Sequence, residues 1–246
     1  MRAGIEEIIV VTGYMAESFS YLQEKFGVKL IYNPEYLTRN NNGSIYAVKE
    51  YLGNSYICSA ANYFEENPFE NEVDESYYSA VYAEGDTKEW CIREDENGYI
   101  NEVRIGGYDA WYMLGHVFWS REFSRNFIGI LELIYNEEET REYLWESIFM
   151  KNLSVLKMKI RKYSQNTIFE FDTLDELREF DESYLEDSRS DIMKCISRQL
   201  NIAEREIINI TAYKGKDTTA AGFYFEVQGE KYKYAYNDKE IRRGVE

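Results

Sequence analysis

The chain has 246 residues, 44% of them hydrophobic, which suits one large domain or a domain with a small appendage. Its 45 acidic and 28 basic side chains give a formal net charge of −17, which argues against binding to nucleic acid or to an anionic membrane surface. No apolar run is long enough to span a membrane, and no signal-peptide pattern follows Met1. Cys58, Cys91 and Cys195 are widely scattered, so we expect free buried thiols in the reducing cytoplasm.

A single histidine limits the chemistry that the chain can perform. With one His and no closely spaced Cys pair, the sequence predicts no zinc site. A serine or cysteine hydrolase would have to use His116, which lies inside the apolar run 113–118. This position favours a packed or hydrogen-bonded histidine over a catalytic one.

Strand and helix patterns alternate over the first 60 residues. The apolar run 8–11 predicts a strand buried on both faces of a parallel sheet. A helical pattern follows and stops at Gly27. Further strands are predicted over residues 28–32 and 56–58, with a helix capped by Ser44 between them. This alternation is typical of a doubly wound α/β fold.

The middle of the chain is richer in strands. Strands are predicted over residues 77–82, 89–93, 99–105, 111–119, 155–160 and 167–171, and helices over residues 123–135, 138–149 and 174–184. The run from Asp95 to Gly98 predicts a hairpin turn. We therefore expect a mixed arrangement of strands after the first 60 residues.

A change in charge marks the end of the main domain. Residues 188–246 hold 11 basic and 9 acidic side chains, whereas residues 1–187 hold 17 and 36. The tail predicts a helix over residues 191–200, a strand over residues 206–213 and a hairpin that turns at Gln228. Because a segment below roughly 60 residues has little core of its own, we expect this appendage to pack on the main domain.

Short motifs stand in a fixed order between residues 4 and 181. They are GIEEIIVVTGY from Gly4, YNPEY from Tyr32, NNNGSIY from Asn40, SAANYF from Ser59, EW at Glu89, LWE from Leu144 and IFEFD from Ile168. Together they resemble the bacterial CTP:phosphocholine cytidylyltransferases of the LicC type, in the sugar-nucleotidyltransferase-like superfamily. The resemblance implies an α/β, nucleotidyltransferase-like (Rossmann-like) fold with a mixed sheet and flanking helices. It also implies that this domain is incomplete at its N-terminus and is followed by a small α+β C-terminal appendage.

The resemblance further implies a reaction in which CTP and phosphocholine give CDP-choline and pyrophosphate. In that family, Mg²⁺ and cationic side chains neutralise the charge on the α-phosphate. This chain has no Gly-rich phosphate-binding segment. Of the two metal positions that the resemblance implies, one falls at Ala61, which has no ligand atom, and the other at Glu146. We therefore expect turnover to be impaired or absent.

The substrate positions are better preserved. The resemblance places Trp90 and Glu170 at the choline group, since aromatic faces and carboxylates attract a quaternary ammonium. The alternative is that Trp90 is a half-buried residue of a sheet and Glu170 is a surface acid on a strand. The resemblance places Asn40, Asn41 and Ser44 at the nucleotide. The alternative is that these residues form a turn and cap a helix without binding a nucleotide.

The tail carries a second resemblance. Residues 207–215 and 222–232 are similar to the opening hairpin of choline-kinase-like domains. The loop from Lys214 to Thr219 departs from the Gly-rich loop of those kinases, and no kinase catalytic residues follow it. We therefore expect no kinase activity from these residues, although a connection to choline is favoured.

Three functions stay open at this point. The first is a cytidylyltransferase, and the second is a non-catalytic scaffold that binds choline or phosphocholine. The third is a polypeptide without a ligand that forms a homo-oligomer over an open sheet edge. Ala61 discriminates among them, because an intact enzyme has little reason to lose a metal ligand. The expected partners are CTP and phosphocholine or choline, with Mg²⁺, and neither nucleic acid nor a membrane.

Overall fold

A computed structural model describes residues 3–215 and 219–244 of the chain. Residues 216–218, within the loop that departs from the kinase pattern, lie outside this described part. The chain divides into two compact units, Met1–Glu170 and Phe171–Glu246. Among the described helices, none has the length and apolar character needed to cross a membrane.

The division between the units falls earlier than the change in charge after residue 187. Residues 174–180 belong to the second unit, because Arg178 donates hydrogen bonds to two carbonyl oxygens there. These are the carbonyl oxygens of Ile207, at 2.6 Å, and Glu204, at 2.8 Å. The change in net charge therefore does not mark the boundary between the units, because the hydrogen bonds of Arg178 assign its helix to the second unit.

The first unit contains eight strands and four α-helices among its described residues. The strands are β1 (Ile9–Thr12), β2 (Lys29–Tyr32), β3 (Ser55–Ile57), β4 (Asn62–Phe64), β5 (Tyr77–Glu94), β6 (Ile100–Trp119), β7 (Lys159–Tyr163) and β8 (Ile168–Glu170). The helices are α1 (Tyr21–Phe26), α2 (Asn41–Ala47), α3 (Arg121–Ile134) and α4 (Trp145–Lys151). Short 3₁₀ turns lie at Ala16–Phe19, Lys49–Tyr51 and Glu138–Glu142.

The N-terminal strands form a small parallel sheet. β1 and β2 pair with Val10 opposite Leu30, and α1 ends at Gly27, whose φ of 68° is left-handed, so both strands and the helix stop are confirmed. The predicted burial of the first strand on both faces is wrong, because β1 pairs only with β2 among the described strands and most of it is half-buried. β3 is antiparallel to β6, with Tyr56 opposite Phe118, so it does not continue a doubly wound sheet.

The main sheet is mixed. Its strand order is β3-β6-β5-β7, where β5 is antiparallel to β6 and parallel to β7. β5 and β6 are each continuous where the sequence predicted two short strands. Register shifts such as the one between Ala83 and Asp86 disturb the alternation of side chains that the prediction used. The predicted hairpin turn is confirmed, since the Asp95 carboxylate accepts from the backbone N–H groups of Asn97 at 2.9 Å and Tyr99 at 3.0 Å.

Helices cover one side of the main sheet. Ser120 caps α3 by accepting from the backbone N–H of Phe123 at 3.2 Å, which confirms the helix predicted there. Trp119, Phe127 and Phe149 are fully buried between the sheet and α3 and α4. These flanking helices and the mixed sheet confirm the predicted α/β class.

Several predicted elements have other boundaries. The helix expected over residues 138–149 is a 3₁₀ turn followed by α4, because Tyr143 and Leu144 have extended backbones between them. The strand expected over residues 155–160 begins only at Lys159. Of the three free cysteines, only Cys91 is buried, whereas Cys58 is exposed and Cys195 is half-buried. The expectation of buried thiols is therefore wrong for two of them.

His116 is a structural residue, as its apolar surroundings predicted. It is fully buried, its Nδ1 lies 3.0 Å from Oγ of Ser79, and its Nε2 lies 2.9 Å from the hydroxyl oxygen of Tyr77. Burial, and then the charge of Arg161, lower the pKa of His116 to about 4.

The second unit has its own hydrophobic core. Its helices are α5 (Leu174–Phe180), α6 (Ser183–Glu186) and α7 (Asp191–Leu200). Its strands β9 (Ile208–Lys214), β10 (Ala220–Val227), β11 (Glu230–Ala235) and β12 (Ile241–Arg243) form an antiparallel sheet in the order β12-β11-β10-β9. Ile196, Ile207 and Phe225 are almost completely buried together. The expectation of little core is therefore wrong, because α7 and the aromatic face of the hairpin bury each other.

Candidate functional site

Asparagines at the start of α2 hold the chain segment 140–146 in place. Asn40 caps α2 by accepting from its first backbone N–H at 2.8 Å, and its Nδ2 donates to the carbonyl oxygen of Glu142 at 3.3 Å. Asn42 is fully buried and donates to the carbonyl oxygen of Thr140 at 2.9 Å. The helix-cap interpretation of Asn40 is thus confirmed, and its predicted place at a nucleotide stays a prediction.

Ser44 does not cap the helix. It lies inside α2, where its hydroxyl accepts from Nδ2 of Asn33 at 3.4 Å. The sequence placed the cap at Ser44 because serine is a common cap residue, but Asn40 takes that position four residues earlier. Ser44 is half-buried beside the segment that follows β2, and its role at a nucleotide also stays a prediction.

Glu146 lies in the first turn of α4 and is held from two sides. Nδ2 of Asn41 donates to its Oε2 at 3.1 Å, and the hydroxyl of Tyr78 donates to its Oε1 at 3.4 Å. Burial raises the pKa of Glu146, the two hydrogen bonds oppose that shift, and the negative charge of Glu170 adds to it. The structure therefore brings together two acids that the sequence analysis assigned to different tasks.

Glu170 stands at the end of β8, opposite Asn62 of β4. The amide of Asn62 donates to Oε1 of Glu170 at 3.5 Å, and the Glu170 side chain is exposed. Ala61 directly precedes Asn62, so the position without a ligand atom is adjacent in the chain to the residue that pairs with Glu170.

Two tyrosines complete what we call the acid–tyrosine cluster, which consists of Tyr78, Tyr112, Glu146 and Glu170. Burial raises the pKa of both tyrosines. The charge of Glu146, and then that of Glu170, raises the pKa of Tyr78 further, and the charge of Glu89, and then that of Glu170, raises the pKa of Tyr112. The ring of Tyr78 also stacks on Trp145, with centroids 5.7 Å apart. The sequence analysis missed both tyrosines, because nothing in the local sequence separates them from the other 21.

Trp90 lies on the long hairpin of β5 and β6. It is half-buried, stands opposite Ile105 and packs against the main hydrophobic core of the first unit. The interpretation as a half-buried sheet residue is therefore confirmed. Its contact with a choline group stays a prediction.

The described residues do not fit the two-acid Mg²⁺ site that the resemblance implied. Ala61 offers no ligand atom, which leaves Glu146 as the one carboxylate at the two implied positions. Mg²⁺ is usually held by one or two carboxylates together with substrate phosphates and water. In the described part of the chain, no group of three acidic, histidine or cysteine side chains could hold a metal ion.

The mixed sheet with flanking helices defines a nucleotidyltransferase-like α/β protein. No family model matches the chain. A choline-phosphate cytidylyltransferase from Streptococcus pneumoniae is 31% identical over 73% of this chain and 78% of that protein. A 2-aminoethylphosphonate cytidylyltransferase from Lancefieldella rimae is 32% identical over 75% of this chain and 77% of that protein. The structure of the CTP:phosphocholine cytidylyltransferase LicC from Streptococcus pneumoniae matches with a TM-score of 0.70 over 74% of this chain and 80% of that one. The chain belongs to the LicC-type family of cytidylyltransferases.

Proposed function

We propose that this chain binds a small phosphorylated ammonium compound, phosphocholine in the first place, as the acceptor for a cytidylyl group. The reaction is CTP plus phosphocholine giving CDP-choline and pyrophosphate. The observation that carries the proposal is the pair of carboxylates in the acid–tyrosine cluster, Glu146 held by Asn41 and Tyr78, and Glu170 held by Asn62. The names of the relatives support a phosphorylated or phosphonylated ammonium compound as the acceptor.

The chemistry of the cluster suits a cation. A quaternary ammonium cannot donate hydrogen bonds, so aromatic faces and nearby negative charge must recognise it. Glu146 and Glu170 repel each other when the site is empty, and a positive headgroup near both relieves that repulsion. Trp90 is proposed as a further aromatic contact to the headgroup. Asn40, Asn41 and Ser44 are proposed to line the nucleotide at the start of α2.

A second candidate function is binding without turnover. Ala61 favours it, because a nucleotidyl transfer needs the phosphate charge to be neutralised and this position offers no metal ligand. A scaffold that holds phosphocholine needs only the headgroup contacts. The free thiols are compatible with the cytoplasm as the place where either function would operate.

One assay distinguishes the two candidate functions, the transferase and the scaffold. The purified chain is mixed with CTP, MgCl₂ and phosphocholine, and both pyrophosphate release and CDP-choline are measured, with 2-aminoethylphosphonate as a parallel acceptor. Formation of CDP-choline supports the transferase. Saturable phosphocholine binding without pyrophosphate release supports the scaffold. Absence of both product and binding would contradict both functions.

A further inference from the structure

We propose that Arg39 is a positioning residue that fixes the start of α2 for the nucleotide. This inference rests on the proposed function, which places Asn40, Asn41 and Ser44 at that ligand. Arg39 directly precedes the cap residue Asn40, and its side chain is only 4% exposed. Nη2 of Arg39 donates to the carbonyl oxygen of Tyr135 at 2.6 Å, which joins the start of α2 to the end of α3.

Two cations and two tyrosines form what we call the cation–tyrosine stack, which consists of Arg39, Tyr135, Tyr46 and Lys49. The guanidinium carbon of Arg39 lies 3.8 Å from the centroid of the Tyr135 ring, within the range of a cation–π contact. The Tyr135 ring is stacked on Tyr46 with centroids 3.7 Å apart, and Nζ of Lys49 lies 4.2 Å from the centroid of the Tyr46 ring. Since Arg39 precedes α2 and Tyr46 belongs to its last turn, the stack attaches both ends of the helix to Tyr135.

The helix depends on such contacts because it is short. α2 has seven residues, and a helix of that length is marginal in water without tertiary packing. Its first turn carries Asn41 and Ser44, directly after Asn40. A shift of the segment at Arg39 would therefore displace all three side chains that are proposed to line the nucleotide.

The contacts of Arg39 require a guanidinium group. Nε of Arg39 donates to Oε1 of Glu35 at 3.4 Å, and the Tyr135 hydroxyl donates to Oε2 of the same carboxylate. Arg39, Glu35 and Tyr135 therefore form a closed set of contacts. A planar guanidinium can stack on a ring while its N–H groups donate in two directions, whereas the ammonium group of a lysine is a point charge on a flexible stem. Arg39→Lys thus keeps the charge and loses the geometry.

The test compares Arg39→Lys with Arg178→Lys in the full chain. Arg178 is a matched control, because its side chain is also almost fully buried, donates to two carbonyl oxygens and pairs with Asp175, but it lies in the second unit. Calorimetry measures the affinities for CTP, in the presence of MgCl₂, and for phosphocholine. Hydrogen exchange, followed by mass spectrometry, measures the opening of α2 in the chain without ligand.

We expect Arg39→Lys to weaken CTP binding about tenfold, to weaken phosphocholine binding less, and to speed amide exchange over residues 43–47 about tenfold. The loss falls mainly on CTP because Trp90 and Glu170, the proposed headgroup residues, lie outside α2. Arg178→Lys should change none of the three quantities. A second variant, Tyr135→Leu, removes the ring that Arg39 contacts and should give the same selective loss, which keeps the inference testable if Arg39→Lys does not fold.

The outcomes separate this inference from the proposed function. Unchanged amide exchange in α2 of Arg39→Lys overturns the positioning role, whether or not CTP binds. Equal losses of affinity for CTP and phosphocholine also overturn it, since a general loosening of the first unit would then explain both. Faster exchange in a chain that does not bind CTP supports the positioning of α2 and contradicts the placement of its residues at a nucleotide. In a Ser44→Ala background, Arg39→Lys is expected to cause a smaller loss of CTP affinity than in the natural chain, and an equal loss contradicts the inference.

Discussion

Glu146 and Glu170 lie close enough together that the charge of one carboxyl affects the titration of the other. Burial is the larger cause of the raised pKa of Glu146, and the charge of Glu170 adds to it. Glu146 lies in the first turn of α4, and Glu170 is the last residue of β8. Two like charges that affect each other are costly without a counter-charge, and a bound cation would relieve that cost.

The substitution Glu170→Gln removes one of the two charges. We expect it to weaken phosphocholine binding about tenfold and to let Glu146 ionise at a lower pH. Calorimetry measures the first effect and NMR titration the second. Glu139→Gln, on an exposed 3₁₀ turn, removes a charge from a solvated face and should change neither quantity. Equal effects of the two substitutions would show that net charge, not position, determines binding.

The pH dependence of stability tests the burial of Glu146. Because its pKa is raised in the folded chain, its contribution to stability is present at low pH and is lost as the pH rises through the folded pKa. Glu146→Gln removes this ionisation. We expect Glu146→Gln to raise the melting temperature more at pH 8 than at pH 4. A larger gain at pH 4 would mean that the carboxyl is stabilised in its charged form.

The titration of His116 predicts a pH dependence of stability with the opposite sign. Its pKa is lowered from 6.5 to about 4, so the folded chain is stabilised by the neutral ring. That stability is complete above pH 6.5 and is lost as the pH falls towards 4, by an amount of the order of 3 kcal/mol. Urea unfolding of the natural chain and of His116→Asn between pH 7 and pH 4 measures it. If both proteins show the same slope, the ring is not buried in its neutral form.

Gly222 in β10 is required by close packing in the second unit. A Cβ atom there would lie 2.0 Å from the carbonyl oxygen of Tyr234 and 2.6 Å from the ring of Tyr213. Gly222→Ala should therefore destabilise the second unit by about 3 kcal/mol in denaturant unfolding. A mild effect at Gly222 would contradict the packing.

In α3, a Cβ atom at Gly129 would meet no atom within 4 Å outside its chain neighbours and the backbone of its own helix. Gly129→Ala should therefore stabilise the first unit by about 0.5–1 kcal/mol in denaturant unfolding, and a loss of stability would contradict this.

Local signals in the sequence predicted part of this structure. The turn after Asp95 and helix α7 depend on neighbouring residues, and both are present as predicted. The bond from Asn41 to Glu146 depends on two segments 105 positions apart, so no local pattern contains it. The cap of α2 was misplaced because Asn40 and Ser44 are both good cap residues, and only the packing of residues 140–142 against Asn40 decides between them.

The most direct test of the acid–tyrosine cluster compares phosphocholine with 3,3-dimethylbutyl phosphate in calorimetric titrations of the full chain. In this analogue a carbon atom replaces the nitrogen, so the headgroup is uncharged. The two ligands have the same shape and the same phosphate, and they differ only in the positive charge of the headgroup. The account predicts that phosphocholine binds at least about tenfold more tightly and that Glu170→Gln reduces this preference. Equal affinity for the two ligands, or no binding of phosphocholine, would contradict a cation site formed by Glu146 and Glu170.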